Sequence, residues 1–122
     1  MAGFRQQPNY DFLNGLELSC IQVSPYTIAF VFVENPEINI GSEFDHFEAA
    51  TGVTSKYQAS GQTKDFTVQR LPGRRVVGTE ILSDDALKLA FDNGDTLTLL
   101  RTNPWYESMT INKPNGGVIV IM

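Results

Sequence analysis

A chain of 122 residues, 42% hydrophobic and 19% charged, is long enough for one core and too apolar for a disordered segment. Its net charge of −5 argues against the basic face that nucleic-acid binding requires, and it fits plain solubility or a basic partner. The lone Cys20 excludes an internal disulfide framework, and the longest apolar run, Ile28–Val33, is far too short to cross a bilayer. No basic-then-apolar leader pattern stands at Met1–Leu13, so a cytoplasmic location is expected.

Met1–Asn9 is polar and holds Gln6-Gln7-Pro8, which predicts a loose arm. Tyr10, Phe12 and Leu13 are apolar enough to dock on a core, and Asn14-Gly15 is a turn. Leu16, Leu18 and Cys20 alternate with Glu17 and Ser19, then Ile21 and Val23 take the opposite parity. A bulge near Cys20 reconciles the two. Cys20 then reads as a small core residue that reacts slowly, rather than as a nucleophile with His46 as its base. After the turn Ser24-Pro25-Tyr26, the run Thr27–Val33 is apolar on both faces, which predicts a central, covered strand. Asn35-Pro36 breaks it, and Glu37–Gly41 alternates again as a third strand. Ser42–Ala50 fits either a helix turn capped by Ser42, with Phe44 and Phe47 at i, i+3, or a strand.

Ser, Thr, Gln and Gly dominate Thr54–Thr63, which predicts an exposed loop. Thr63 fits the cap of a short helix near 63–71, ended by Pro72-Gly73, with Phe66 and Arg70 on one face. Leu71–Ile111 is the most regular stretch. Leu87, Leu89 and Phe91 alternate with Lys88, Ala90 and Asp92, and Thr96 and Thr98 alternate with Leu97 and Leu99. Asn93-Gly94 between these runs predicts a type I′ hairpin turn, with φ > 0 at both residues. Lys113–Gly117 is a further turn, and Val118–Met122 is a last strand that must be paired and covered.

The two halves resemble each other. Leu13-x-Gly15 matches Leu71-x-Gly73 at an offset of 58. Beyond the first turn Ser24 matches Ser83 and Phe32 matches Phe91 at 59. At that offset Ile38 and Ile40 fall on Leu97 and Leu99, and Phe47-Glu48 falls on Tyr106-Glu107. Such a unit cannot bury its apolar face alone, so the copies should pack on each other. The expected architecture is one mainly β domain over 1–122. Two three-stranded repeats, at about 10–51 and 68–111, are joined by a loop at 52–67 and followed by the strand 118–122. A sandwich or half-barrel follows, with at most a short helix.

No set of residues has the spacing of a catalytic or cofactor site. Glu43, Asp45, His46 and Glu48 are the nearest approach to a metal cluster, but no second His or Cys supports them. Asp92-Asn93-Gly94-Asp95 places Gly where a calcium loop needs its next ligand. Arg70, Arg74 and Arg75 around Pro72-Gly73 read as surface arginines paired with local acids rather than as an anion clamp. Glu48 and Glu107, each after an aromatic residue, read as structural carboxylates rather than as a glycosidase pair. The turns at Ser24–Tyr26 and Ser83–Asp85 should share an end with the exits of each third strand. That groups Tyr26, Glu43, Asp45, Glu48, Asp84, Asp85, Trp105, Tyr106 and Glu107 as a rim of acids and aromatics suited to a basic protein partner.

The stretches Leu71-Pro72-Gly73-Arg74-Arg75-Val76, Leu87–Leu99, Trp105–Ile111 and Gly116–Met122 resemble the pattern of a family of small bacterial β domains. Some of these look like immunity proteins of polymorphic-toxin and contact-dependent inhibition systems. Ser108-Met109 stands where that pattern has an aromatic region. The resemblance implies a non-enzymatic protein-binding domain that neutralises a cognate toxin, and it carries over no site residues; the acidic balance fits a basic toxin. The competing reading is a small-ligand-binding β domain, or an enzyme with its site between the repeats. No cofactor, nucleic acid or membrane partner is expected, and a homodimer through an exposed strand edge is compatible with the pattern.

Overall fold

Alternation with a period of two sends every second side chain of a strand inward, and in this chain it builds two packed sheets. The computed structural model describes residues 3–59, 67–102 and 108–122. Its strands are β1 (Leu18–Val23), β2 (Ile28–Phe32), β3 (Glu37–Ile40), β4 (Glu43–Glu48), β5 (Val53–Gln58), β6 (Val76–Ser83), β7 (Ala86–Phe91), β8 (Thr96–Leu100), β9 (Met109–Asn112) and β10 (Val118–Ile121). One antiparallel sheet runs β1-β2-β3-β9-β10 and the other β6-β7-β8-β4-β5, and they pack as a sandwich. The fold is mainly β, as the alternation predicts.

Adding five to each strand number of the first sheet, modulo ten, gives the second. Each half of the chain thus contributes its first three strands to one sheet and its last two to the other. Registers follow the same rule. Phe30 pairs with Ile38 and Ile28 with Ile40, while 59 positions on Leu89 pairs with Leu97 and Leu87 with Leu99. The later strands do not keep that offset. Ile111 stands beside Ile38 where His46 stands beside Leu97, so β4 and β9 correspond at 65. Tyr106 and Glu107, the expected matches of Phe47 and Glu48, lie outside the described residues.

The lead-ins to β1 and β6 cross and tie the sheets together. Gly15 N–H donates to Val76 O and Gly73 N–H to Leu18 O, each at 2.7 Å. Val76 N–H donates to Leu16 O and Leu18 N–H to Arg74 O, each at 2.9 Å. Gly15 and Gly73 reach these bonds at φ +87° and +93°, a region a Cβ makes costly. Glu17 and Arg75 meet at the centre of the crossing, as a backbone bridge and as an ion pair of 3.2 Å. Between the sheets, Phe30 of β2 meets Phe44 of β4 edge-on, with centroids 5.4 Å apart, and Phe44 packs on Tyr57 of β5. An aromatic contact of this kind adds about 1 kcal/mol beyond the area it buries.

Several expectations are corrected. The N-terminal arm is not loose along residues 3–13: Phe4 and Tyr10 are buried, Tyr10 Oη donates to Phe4 O, and Phe4 N–H donates to Asp84 O. A Cβ on Gly3 would sit 2.3 Å from that Asp84 oxygen, so the approach depends on glycine. Gln6 Nε2 donates to Val120 O, which carries the arm across to the other sheet. Of the two readings of Ser42–Ala50 the strand is adopted, at Glu43–Glu48, while Thr54–Gln58, expected as loop, belongs to β5 with one buried side chain, Tyr57. The short helix is a 3-10 turn at Thr67–Arg70, while Thr63 and Phe66 lie outside the described residues. Positive φ in the Asn93-Gly94 turn is confined to Gly94, so the type I′ geometry is not adopted.

The bulge near Cys20 is present, between Leu18 and Cys20. It turns Leu18 inward and pairs Cys20 with the outward Val31, so Cys20 is exposed rather than core.

Candidate functional site

Strand direction decides which candidate residues meet. β3 ends at Ile40 and, with two residues between, β4 begins at Glu43 in the opposite sheet. Register then places Glu43 across from Leu100 and Leu100 across from Ala86, beside the Ser83–Asp85 turn. On the first sheet Ile40 stands across from Ile28, beside the Ser24–Tyr26 turn. Tyr26, Glu43, Asp84 and Asp85 therefore lie at one end of the sandwich. Tyr26 is 76% exposed, an unusual setting for a large ring. Asp85 projects to solvent while accepting from Arg101 at 2.7 Å. Asp84 is half-buried, and its Oδ1 has no hydrogen-bond partner among the described residues. Trp105, Tyr106 and Glu107 lie outside the described residues.

Asp45 and Glu48 are not part of that end. β4 runs away from it, so Asp45 sits mid-strand on the outer face, 3.3 Å from Lys56. Glu48 lies at the far end, turned inward and paired with Arg70 at 3.2 Å. The same alternation dismantles the metal cluster: Glu43 and Asp45 face out while His46 and Glu48 face in. Among the described residues no three His, Cys, Asp or Glu side chains converge on a common point. The arginines at the crossing are also separated, Arg70 to Glu48 and Arg75 to Glu17 and Gly15 O.

A second cluster escaped the sequence reading. His46 is fully buried on the inner face of β4. Its Nε2 lies 2.8 Å from Asp95 Oδ2 and its Nδ1 2.6 Å from Thr67 Oγ1. Thr67 Oγ1 is also 2.8 Å from Tyr57 Oη, and Thr67 N–H donates to the same phenol. Asp95 Oδ1 accepts the N–H of Ala49. Burial pushes the Asp95 carboxyl up, but the Ala49 N–H, the hydrogen bond and charge of His46, and the Asn93 side chain together hold it below the usual carboxylate range. An ionised carboxylate only accepts, so Nε2–H donates to Asp95 Oδ2, and Nδ1 shares the second bond with the Thr67 hydroxyl.

The order Thr67–His46–Asp95 is that of a nucleophile, a base and an orienting acid. Here the hydroxyl is shared with Tyr57 and the imidazole has no exposed surface, so the line serves to lock the 3-10 turn at Thr67–Arg70 onto β4 and the β7–β8 turn. The signal in the sequence was a histidine at an inward position of an alternating run, together with the final Asp of Asp92–Asp95. Their contact spans 49 positions, so no local pattern reveals it.

Two hollows among the described residues are open and lie at the surface. One of about 310 Å³ runs beside Gln6, Gln7 and Val118–Val120, and one of about 210 Å³ lies over Gly78 and Ala90. No helix among the described residues is long and apolar enough to cross a membrane. No family model matches the chain, and no curated protein or solved structure matches it.

Proposed function

We propose that this β-sandwich is a non-enzymatic protein-binding domain that engages a basic partner through its acidic end, with toxin neutralisation as the specific form. The observation that carries the reading is the exposed ring of Tyr26 at the same end as Glu43, Asp84 and Asp85. An exposed aromatic supplies an anchor, and acids around it raise the encounter rate with a basic surface. The filled interior, with Phe30, Phe44 and Tyr57 in mutual contact, favours recognition on the surface over a ligand between the sheets.

A toxin that acts on nucleic acid needs a basic site for phosphates, and an acidic protein surface competes for it. Co-expression with the product of the neighbouring reading frame tests the reading. Wild type should protect cells and co-purify with that product. Glu43→Lys should slow association, by about tenfold at low salt, and Tyr26→Ala should speed dissociation. A well-folded protein that neither protects nor forms a complex would defeat the proposal.

A further inference from the structure

The two sheets have four edges, and three of them are guarded. The lead-ins of β1 and β6 cross and bond to each other, and Phe4 and Tyr10 cover the side of β6 near Asp84. β5 presents Thr54, Lys56 and Gln58, with Lys56 paired to Asp45, and a lysine on an edge opposes further pairing. β10 is different. Its outward side chains are Val118 and Val120, 59% and 40% exposed, followed by exposed Met122. No charged residue stands anywhere in Pro114–Met122.

β10 pairs with β9 alone among the strands, with Ile119 opposite Ile111 and Ile121 opposite Met109. The bond from Lys113 N–H to Gly117 O sets the phase of that ladder, so odd-numbered residues bond to β9. The N–H and C=O groups of Val118 and Val120 consequently face the open edge. The described structure gives these four groups one partner, the Gln6 amide on Val120 O. The 310 Å³ hollow lined by Gln6, Gln7, Lys113 and Val118–Val120 lies along this edge, where an added strand would run.

We propose that β10 is a self-pairing edge: two copies join antiparallel about a two-fold axis at Ile119 and extend the first sheet across the dimer. The axis sets Val118 against Val120 of the second copy. Each such pair exchanges two N–H···O bonds, four in all, and places valine directly against valine. Gln6 gives up Val120 O on pairing, the one bond of the open edge that the second copy replaces.

Charge selects the second copy as occupant. Two chains of net charge −5 repel on most approaches, and this edge is where they meet without opposing acids. A neutral strand is also complementary to itself, which a two-fold interface requires. The pairing strand itself carries no charged residue, and self-association is read without any basic partner, so its test does not depend on that reading.

Sedimentation equilibrium from about 10 μM to about 1 mM tests the pairing, a range that brackets the affinity of a small interface. The mass should rise from 13.6 kDa toward twice that value. Salt should leave the association unchanged or strengthen it, because the paired strands are uncharged and the molecules carry like net charge. Val120→Lys should weaken association at least about tenfold with the far-ultraviolet spectrum unchanged, since this side chain points to solvent. Hydrogen exchange at the amides of Val118 and Val120 should be fast when dilute and slow when concentrated. A monomer throughout the range overturns the proposal, leaving the edge open for another protein's strand. Dimers in which Val120→Lys associates as wild type does, or in which those two amides stay unprotected, place the contact elsewhere and overturn it equally.

Discussion

Tyr10→Phe separates two contributions of one buried phenol. Tyr10 is 1% exposed, its hydroxyl donates to Phe4 O at 2.8 Å, and burial pushes its pKa from 10.0 up to about 12. A raised acid favours its neutral form in the folded state. The stability it contributes is therefore complete below pH 10 and is lost as pH rises through about 12. Two pKa units correspond to about 3 kcal/mol in full, of which about half is gone at pH 11 and most at pH 12.

At neutral pH the variant loses the bond to Phe4 O, at a cost of about 1 kcal/mol. The two stability curves should then cross near pH 11, with the variant the less stable below and the more stable above. Urea unfolding followed by far-ultraviolet circular dichroism, from pH 8 to pH 12, gives the difference between wild type and variant. Lysines and the remaining tyrosines cancel in that difference. A constant difference across the range would show that Tyr10 is solvated in the folded protein, and the docked arm would fall with it.

Asp95 carries the opposite sign: its lowered carboxyl stabilises above the ordinary pKa near 3.8, and that contribution is lost as pH falls through the folded value, so Asp95→Asn should flatten the acid limb of the stability curve. Thr67→Val should cost about 1–3 kcal/mol and His46→Phe more, because it strands the buried Asp95 carboxylate. A double-mutant cycle between the two should show coupling above about 0.5 kcal/mol, and strict additivity would mean the line does not act as a unit. Cys20 should react with a thiol reagent in the native protein about as fast as after unfolding; slow native labelling would contradict its outward position. Gly73→Ala should destabilise by about 1–2 kcal/mol through strain at positive φ, measured by thermal unfolding, and a neutral result would remove the reason given for glycine at the crossing.

The sequence by itself determined the strands and their inward faces. Ile28, Phe30 and Phe32, and again Leu87, Leu89 and Phe91, are buried as their alternation requires, because a strand has two faces and water sorts them. It also determined the turns, where Pro, Gly and Asn leave the backbone few alternatives, and the shared 59-residue offset of the two three-stranded runs. Local pattern misread Cys20, because a one-residue bulge inverts every later side chain and its position depends on the partner strand. It misread Thr54–Gln58, because a polar edge strand owes its form to pairing with β4 rather than to its own apolar content.

Tertiary structure alone decided three further things. The last two strands of each half join the opposite sheet, since their apolar faces find cover there. The arm docks, since Phe4 bonds to Asp84 eighty positions away and Tyr10 is buried with it. His46, Asp95, Thr67 and Tyr57 converge, because they lie in separate segments and meet only when distant parts of the chain are laid side by side.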